Sequence, residues 1–233
     1  MFQLSESSQL QHLTAGQIRQ EQRLGVLILD TRSTEEFISY HVPGSMQIGL
    51  MGPFASWAAI LVRPSQRILL VAESANCAQE ASSRLARVGF THVVGYILAD
   101  KQQWREHGLD AISLPRYAGK NVCLAFRANP TAQLIDVRSR AEWLRGHLPG
   151  AISMPLLGLT DQAPSIDPCK PILVYCQDEY RATIAASILS RDHTLHIGIL
   201  TGDLHEFRPC IMPSKTPRDE RIHSSSSRAK RAS

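Results

Sequence analysis

The hydrophobic positions of the chain fall into short runs rather than long amphipathic stretches. Residues 26–29 (VLIL) and 68–71 (ILLV) in the first half, and 134–137 (LIDV) and 172–175 (ILVY) in the second, are Leu-rich or β-branched and bounded by polar residues. Runs of that length without strict alternation predict strands buried on both faces, as in a parallel sheet. After the first run of each half the pattern changes. Ser33 is followed three places on by Glu36, and Ser139 by Glu142. A hydroxyl that accepts from the N3 amide, with a carboxylate that reaches back, predicts a helix start at both places. Residues 78–88 and 182–191 carry Ala, Leu and Ile at helical spacing. Strands alternating with helices predict an α/β fold in which helices cover both faces of a parallel sheet.

The pattern is written twice. Asp30, Arg32, Glu36, His41, Pro43 and Gly44 recur as Asp136, Arg138, Glu142, His147, Pro149 and Gly150, every pair offset by 106 residues. ILLVAESANCAQEASSRL answers to ILVYCQDEYRATIAASIL at an offset of 104, and GYILADKQQW to GILTGDLHEF at 103. One duplicated unit explains this order. The 233 residues then divide into two domains, 1–115 and 116–213, with the glycine- and proline-bearing stretch 108–119 as linker and 214–233 as a tail.

The chemistry is expected in the second copy. A strand ends at Tyr175 and a helix is expected near Ala182, which leaves Cys176, Gln177, Asp178, Glu179, Tyr180 and Arg181 as the loop between them. Ligands of open parallel sheets bind outside the carboxyl ends of the strands, where a helix N-terminus aims amides and the positive end of its dipole at one point. A thiol placed there has its pKa lowered. Cys176 is therefore the expected nucleophile, and Arg181 either binds an anionic sulfur donor or neutralises the loop's own acids.

Trp143 to Ala151, with the run His-Leu-Pro-Gly-Ala, preceded by Asp136-Val137-Arg138 and followed by Cys176 with Arg181 five positions on, resembles the rhodanese (sulfurtransferase) family. The resemblance runs to about Phe207 and implies two rhodanese-like domains, each a parallel sheet flanked by helices on both faces. It also implies ping-pong transfer of sulfane sulfur from a donor, thiosulfate or a low-molecular-weight persulfide, through a Cys176 persulfide. The acceptor would be cyanide, a thiol or a protein. GPFASW, RLARVGF and VVGY are further similar to the rhodanese pair of metallo-β-lactamase/persulfide dioxygenase fusions, without that metal domain.

The two copies differ where it matters. Ala72 stands at the position equivalent to Cys176, so the first domain is expected to be silent; Cys77, which matches Arg181, reads as incidental. In the second copy Glu179 stands where the family usually carries glycine, and Asp178 beside it adds a second carboxylate that opposes a thiolate and repels thiosulfate. Asp203 likewise replaces the second of two usual glycines after the last strand. Asp136, Arg138 and His147 are expected to support the loop, His41 and His147 as hydrogen-bonding residues at turns. Trp57, Trp104 and Trp143 are expected in core or interface packing. A decayed pair serving as a binding, relay or regulatory module is the competing reading. Phosphatase action needs a loop one residue longer.

Composition changes this picture little. The net charge of +4 resides in the tail, where six Lys or Arg face two acids, so the rest of the chain is neutral and nucleic acid is not an expected partner. The tail, Ser-rich and almost without apolar residues, is expected to be disordered. With no apolar run long enough to span a bilayer and no signal-peptide pattern, a cytoplasmic protein is expected. Five cysteines without close pairing argue against a disulfide framework and a zinc site, and His193 and His196 lack a third ligand. Neither metal nor cofactor is expected.

Overall fold

A computed structural model describes residues 10–119, 121–191 and 195–211. The first half runs α1 (Ala15–Arg23), β1 (Leu27–Asp30), α2 (Thr34–Ser39), β2 (Met46–Gln47), α3 (Phe54–Leu61), β3 (Ile68–Ala72), α4 (Ala75–Arg87), β4 (Val93–Leu98) and α5 (Lys101–Glu106). The second runs β5 (Arg116–Ala118), α6 (Asn121–Ala128), β6 (Gln133–Asp136), α7 (Arg140–Arg145), β7 (Ile152–Ser153), α8 (Leu159–Gln162), β8 (Ile172–Cys176), α9 (Glu179–Leu189), β9 (Ile197–Thr201) and α10 (Leu204–Ile211). The strands form two sheets, ordered β2-β1-β3-β4 and β5-β9-β8-β6-β7, and every pairing of named strands is parallel. An isolated parallel bridge from His12 to Tyr96 stands on the outer edge of β4, where β5 stands against β9.

The duplicated sequence thus gives a duplicated architecture, and the local signals explain why. Ser33 and Ser139 each cap their helix, α2 and α7, with Glu36 and Glu142 closing the box. The strand runs are buried along their whole length at β1, β3, β8 and β9, because helices cover both faces. On one face of the first sheet Leu27, Leu29, Ile68 and Leu70 meet Phe37, Phe54 and Leu85. On the other, Ile28, Leu69 and Val71 meet Ile18 of α1 and Trp104 of α5. In the second sheet Leu134, Leu173, Tyr175 and Leu200 pack on Val122, Ala125 and Phe207.

The remaining face of the second sheet, bearing Ile135, Val174, Cys176 and Ile199, belongs to the same apolar cluster as the inner face of the first. The link is α9. From Ala182 to Leu189 every residue of that helix is buried, since β8 and β9 lie on one side and the β2 edge of the first domain on the other. There Ser187 Oγ accepts a 2.9 Å hydrogen bond from the backbone N–H of Gln47. The linker is also docked: Ile112 pairs antiparallel with His41 and Leu114 N–H donates to Ile38 C=O.

One reading of the cysteines needs correction. Cys77, Cys169 and Cys176 are free thiols, but Cys123 on α6 is disulfide-bonded. Wide spacing along the chain says nothing of proximity once α6 and the rest of its layer have packed. No helix among the described residues is long and apolar enough to cross a membrane. His193 and the 214–233 tail lie outside the described residues.

Candidate active site

Each half carries a clasp built from its Asp-x-Arg. In the second, Arg138 donates from its backbone N and Nε to Asp136 Oδ1 (both 3.0 Å), from Nη2 to Asp136 Oδ2 at 2.6 Å and from Nη2 to Gly146 C=O at 2.8 Å. Arg32 repeats this with Asp30 and the Tyr40 carbonyl at 3.1, 2.9, 2.6 and 2.8 Å. Both pairs are buried. Bidentate geometry and a third, backbone acceptor are what make a buried ion pair tolerable.

The turn beyond each clasp differs between the halves. His41 Nδ1 bonds the Phe37 carbonyl at 2.8 Å, its ring stacks on Phe37 at 4.0 Å, and both are fully buried under the linker. Burial pushes the His41 imidazole down to about 4. His147 makes the same bond to Trp143 at 3.2 Å and the same stack at 3.7 Å, yet His147 is exposed and Trp143 only half-buried. Of the three tryptophans expected in packing, Trp104 is core, Trp57 packs at the cluster's edge, and Trp143 is a surface stack.

Cys176 is the last residue of β8 and is fully buried. The helix after it starts at Glu179, three residues earlier than the sequence suggests, because the Asp178 carboxylate caps it by accepting the Tyr180 N–H at 2.9 Å. The loop proper is Gln177 and Asp178. The expected depression of the thiol pKa is reversed: burial pushes Cys176 up to about 11, outweighing the lowering influence of the Asp178 backbone N–H and of the Arg181 charge. Carboxylates of Asp178 and Glu142 push the same way as burial.

Arg181 is not free for a donor. Its Nη1 and Nη2 reach Glu142 Oε2 and Oε1 at 3.0 and 2.9 Å, and its Nε lies 3.4 Å from Asp178. The guanidinium beside it holds the Glu142 carboxyl well below the ordinary carboxylate range. Glu142 is thus both the closing member of the α7 cap and the partner of Arg181; its place in the capping box was the signal that could have marked it. Glu179, expected to oppose the thiolate, is paired elsewhere: its carboxylate accepts from Arg116 of β5 at 2.8 Å. Tyr180 also leaves the loop, its hydroxyl donating to Gly49 C=O of the first domain at 2.9 Å. Asp203 starts α10 by accepting the His205 N–H.

A cavity of about 310 Å³ opens at this end of the sheet, lined by Arg138, Glu142, Arg145, Gln177, Leu204 and His205 among others. Cys176 does not line it; the side chain belongs to the apolar cluster shared with α9. The larger groove of about 410 Å³, walled by the linker and by Ile172, His196 and Ile197, is at the opposite ends of β8 and β9 and away from the thiol. In the first domain Ala72 ends β3 where Cys176 ends β8, and Cys77, half-buried, sits in the first turn of α4 with its N–H on Ser74 Oγ. No group of three or more His, Cys, Asp or Glu among the described residues could hold a metal ion.

The model of the rhodanese-like domain matches twice, at residues 14–107 and 122–209. The chain belongs to the rhodanese family. Among curated proteins, this rhodanese is 39% identical over 84 residues to YqhL of Bacillus subtilis (strain 168), covering 36% of the chain and 67% of that protein. It is 30% identical over 81 residues to the HTH-type transcriptional regulator Rv0324 of Mycobacterium tuberculosis, 34% of the chain and 36% of that protein. Among solved structures, thiosulfate sulfurtransferase from Pseudomonas aeruginosa aligns over 85% of the chain at 19% identity and a TM-score of 0.36. The chain covers 44% of that protein. The 3-mercaptopyruvate sulfotransferase SseA from Escherichia coli aligns over 82% of the chain and 98% of its own length at 20% identity and a TM-score of 0.34.

Proposed function

We propose that this tandem rhodanese is a sulfurtransferase with one sulfur carrier, Cys176, and a first domain silent in transfer. The observation that supports it is a thiol at the end of β8, two residues before the N-cap of α9 and with Arg181 in the first turn of that helix, in the second half only; Ala72 removes the nucleophile from the first. In the first step the Cys176 thiolate attacks the sulfane sulfur of the donor. An S–S bond forms to Cys176 as the donor's S–S bond breaks, and the electron pair leaves on sulfite or on the donor's thiolate. In the second, an acceptor thiolate or cyanide takes that sulfur and returns the electron pair to Cys176, so no external oxidant is needed.

The carboxylates of Asp178 and Glu142 disfavour a doubly charged donor, which points to a low-molecular-weight persulfide over thiosulfate. The likeness of the first-half motifs to the rhodanese pair of persulfide dioxygenase fusions supports the same choice. Because the thiol is covered and protonated at rest, transfer requires the Gln177–Asp178 turn to open. Full burial favours one competing reading, a non-catalytic module. Intact-mass spectrometry after incubation with glutathione persulfide and, separately, thiosulfate decides between them. A gain of one sulfur that is lost in Cys176→Ala and kept in Cys77→Ala is expected. No gain with either donor, or a gain that survives Cys176→Ala, would overturn the proposal.

A further inference from the structure

The loop between β2 and α3 forms a socket on the first domain. Ile48 N–H donates to Asp30 C=O and Leu50 N–H to Thr31 C=O. Arg84 of α4 donates from Nη1 to Leu50 C=O at 2.8 Å and from Nη2 to Gly52 C=O at 3.4 Å. Into this braced turn the second domain inserts Tyr180. Besides the bond to Gly49 C=O, the ring lies so close to the two glycines that a Cβ on Gly49 would sit 3.2 Å from Cε2, and one on Gly52 2.6 Å from both Cε2 and Cζ. Gly52 needs no left-handed backbone. Its lack of a side chain serves the close approach of the ring. Burial raises the Tyr180 hydroxyl to about 12, so it stays a donor.

Tyr180 sits between the parts that face the sulfur. Its N–H is held by the carboxylate of Asp178, which caps α9 two residues after Cys176 ends β8, and Arg181 is next in sequence. We propose that the catalytically silent first domain sets the ionisation and reactivity of Cys176 by gripping Tyr180 in the Gly49–Gly52 socket, which makes Tyr180 and Gly52 positioning residues. The inference rests on Cys176 being the carrier. Displacing the ring tilts the first turn of α9 and shifts the Asp178 backbone N–H, which favours the thiolate, relative to the end of β8.

The test is a mutant cycle on the full chain, read as the pH midpoint of thiolate absorbance after subtraction of Cys176→Ala. Gly52→Ala should raise the midpoint and cut the thiolate present at a given pH by roughly fivefold, the equivalent of one amide hydrogen bond. In a Tyr180→Leu background, where the ring atoms that would meet the added methyl are gone, Gly52→Ala should add nothing. Tyr180→Phe, which loses only the hydroxyl, should shift the midpoint the same way by less, and it decides the matter should Gly52→Ala fail to fold. An unchanged midpoint in the folded single variants, or an equal Gly52→Ala effect in both backgrounds, overturns the proposal. No sulfur donor is present, so the outcome is separable from whether Cys176 carries sulfur.

Discussion

Neutralising Glu142 should make Cys176 more acidic. Glu142 adds a like charge near the sulfur and occupies both Nη atoms of Arg181. Glu142→Gln removes the charge while a glutamine can still close the α7 capping box, so the helix is not at stake. For a partly exposed charge at a separation on the order of 6 Å and an effective dielectric of about 40, the Coulomb term is ~1.4 kcal/mol, or about one pH unit. The midpoint should therefore fall from about 11 by about one unit, and further if the released guanidinium turns to the sulfur. Thiolate absorbance against pH, corrected with Cys176→Ala, reads ionisation without asking whether a reagent can reach the buried atom. The rate of alkylation at neutral pH should rise less, by about threefold, since a more acidic thiolate is a weaker nucleophile with a Brønsted slope of about 0.5. A midpoint that stays or climbs would show that burial alone sets the value and that the Arg181–Glu142 pair is only structural.

Two further outcomes follow from the same geometry. His41 is neutral and buried in the folded chain, its value lowered from 6.5 to about 4, so between those limits the unfolded chain binds more protons. Stability should then rise with pH across that window, by about 3 kcal/mol in all; urea unfolding at neutral pH and near pH ~4 should show this slope and its loss in His41→Gln, and equal slopes would refute it. Glu179→Gln breaks an exposed pair with Arg116, a contact worth about 0–1 kcal/mol, and should leave the Cys176 midpoint in place; a fall would return Glu179 to the loop's electrostatics.

What the sequence carried was what lies close in sequence or repeats. The capping boxes at Ser33 and Ser139 span three residues and the clasps two, so their partners stand in view of one another on the page. The strands were legible because burial on both faces leaves an unbroken apolar run. The site was less legible, because its decisive contacts are long-range. Arg181 meets Glu142 across 39 residues, Glu179 meets Arg116 across 63 and Tyr180 meets Gly49 across 131. A motif reading places the five residues from Gln177 to Arg181 around the sulfur. In the fold the helix consumes Glu179, Tyr180 and Arg181, and each side chain leaves for a different neighbour. The thiol of Cys176 departs from the expected acidity for a related reason. Local reasoning counts the dipoles near a strand end, while the extent of burial depends on the α9 layer and the domain behind it.

The helix α9, with its eight consecutive buried residues, has a consequence for what the chain can lose. A segment with no wet side is a party wall, finished by whatever stands against it. Ala72 in place of a thiol costs the first half none of its masonry, whereas discarding that half would leave Ser187, Tyr180 and their apolar neighbours facing water. Retention of the first half thus needs no reaction of its own, since the two halves share a structure.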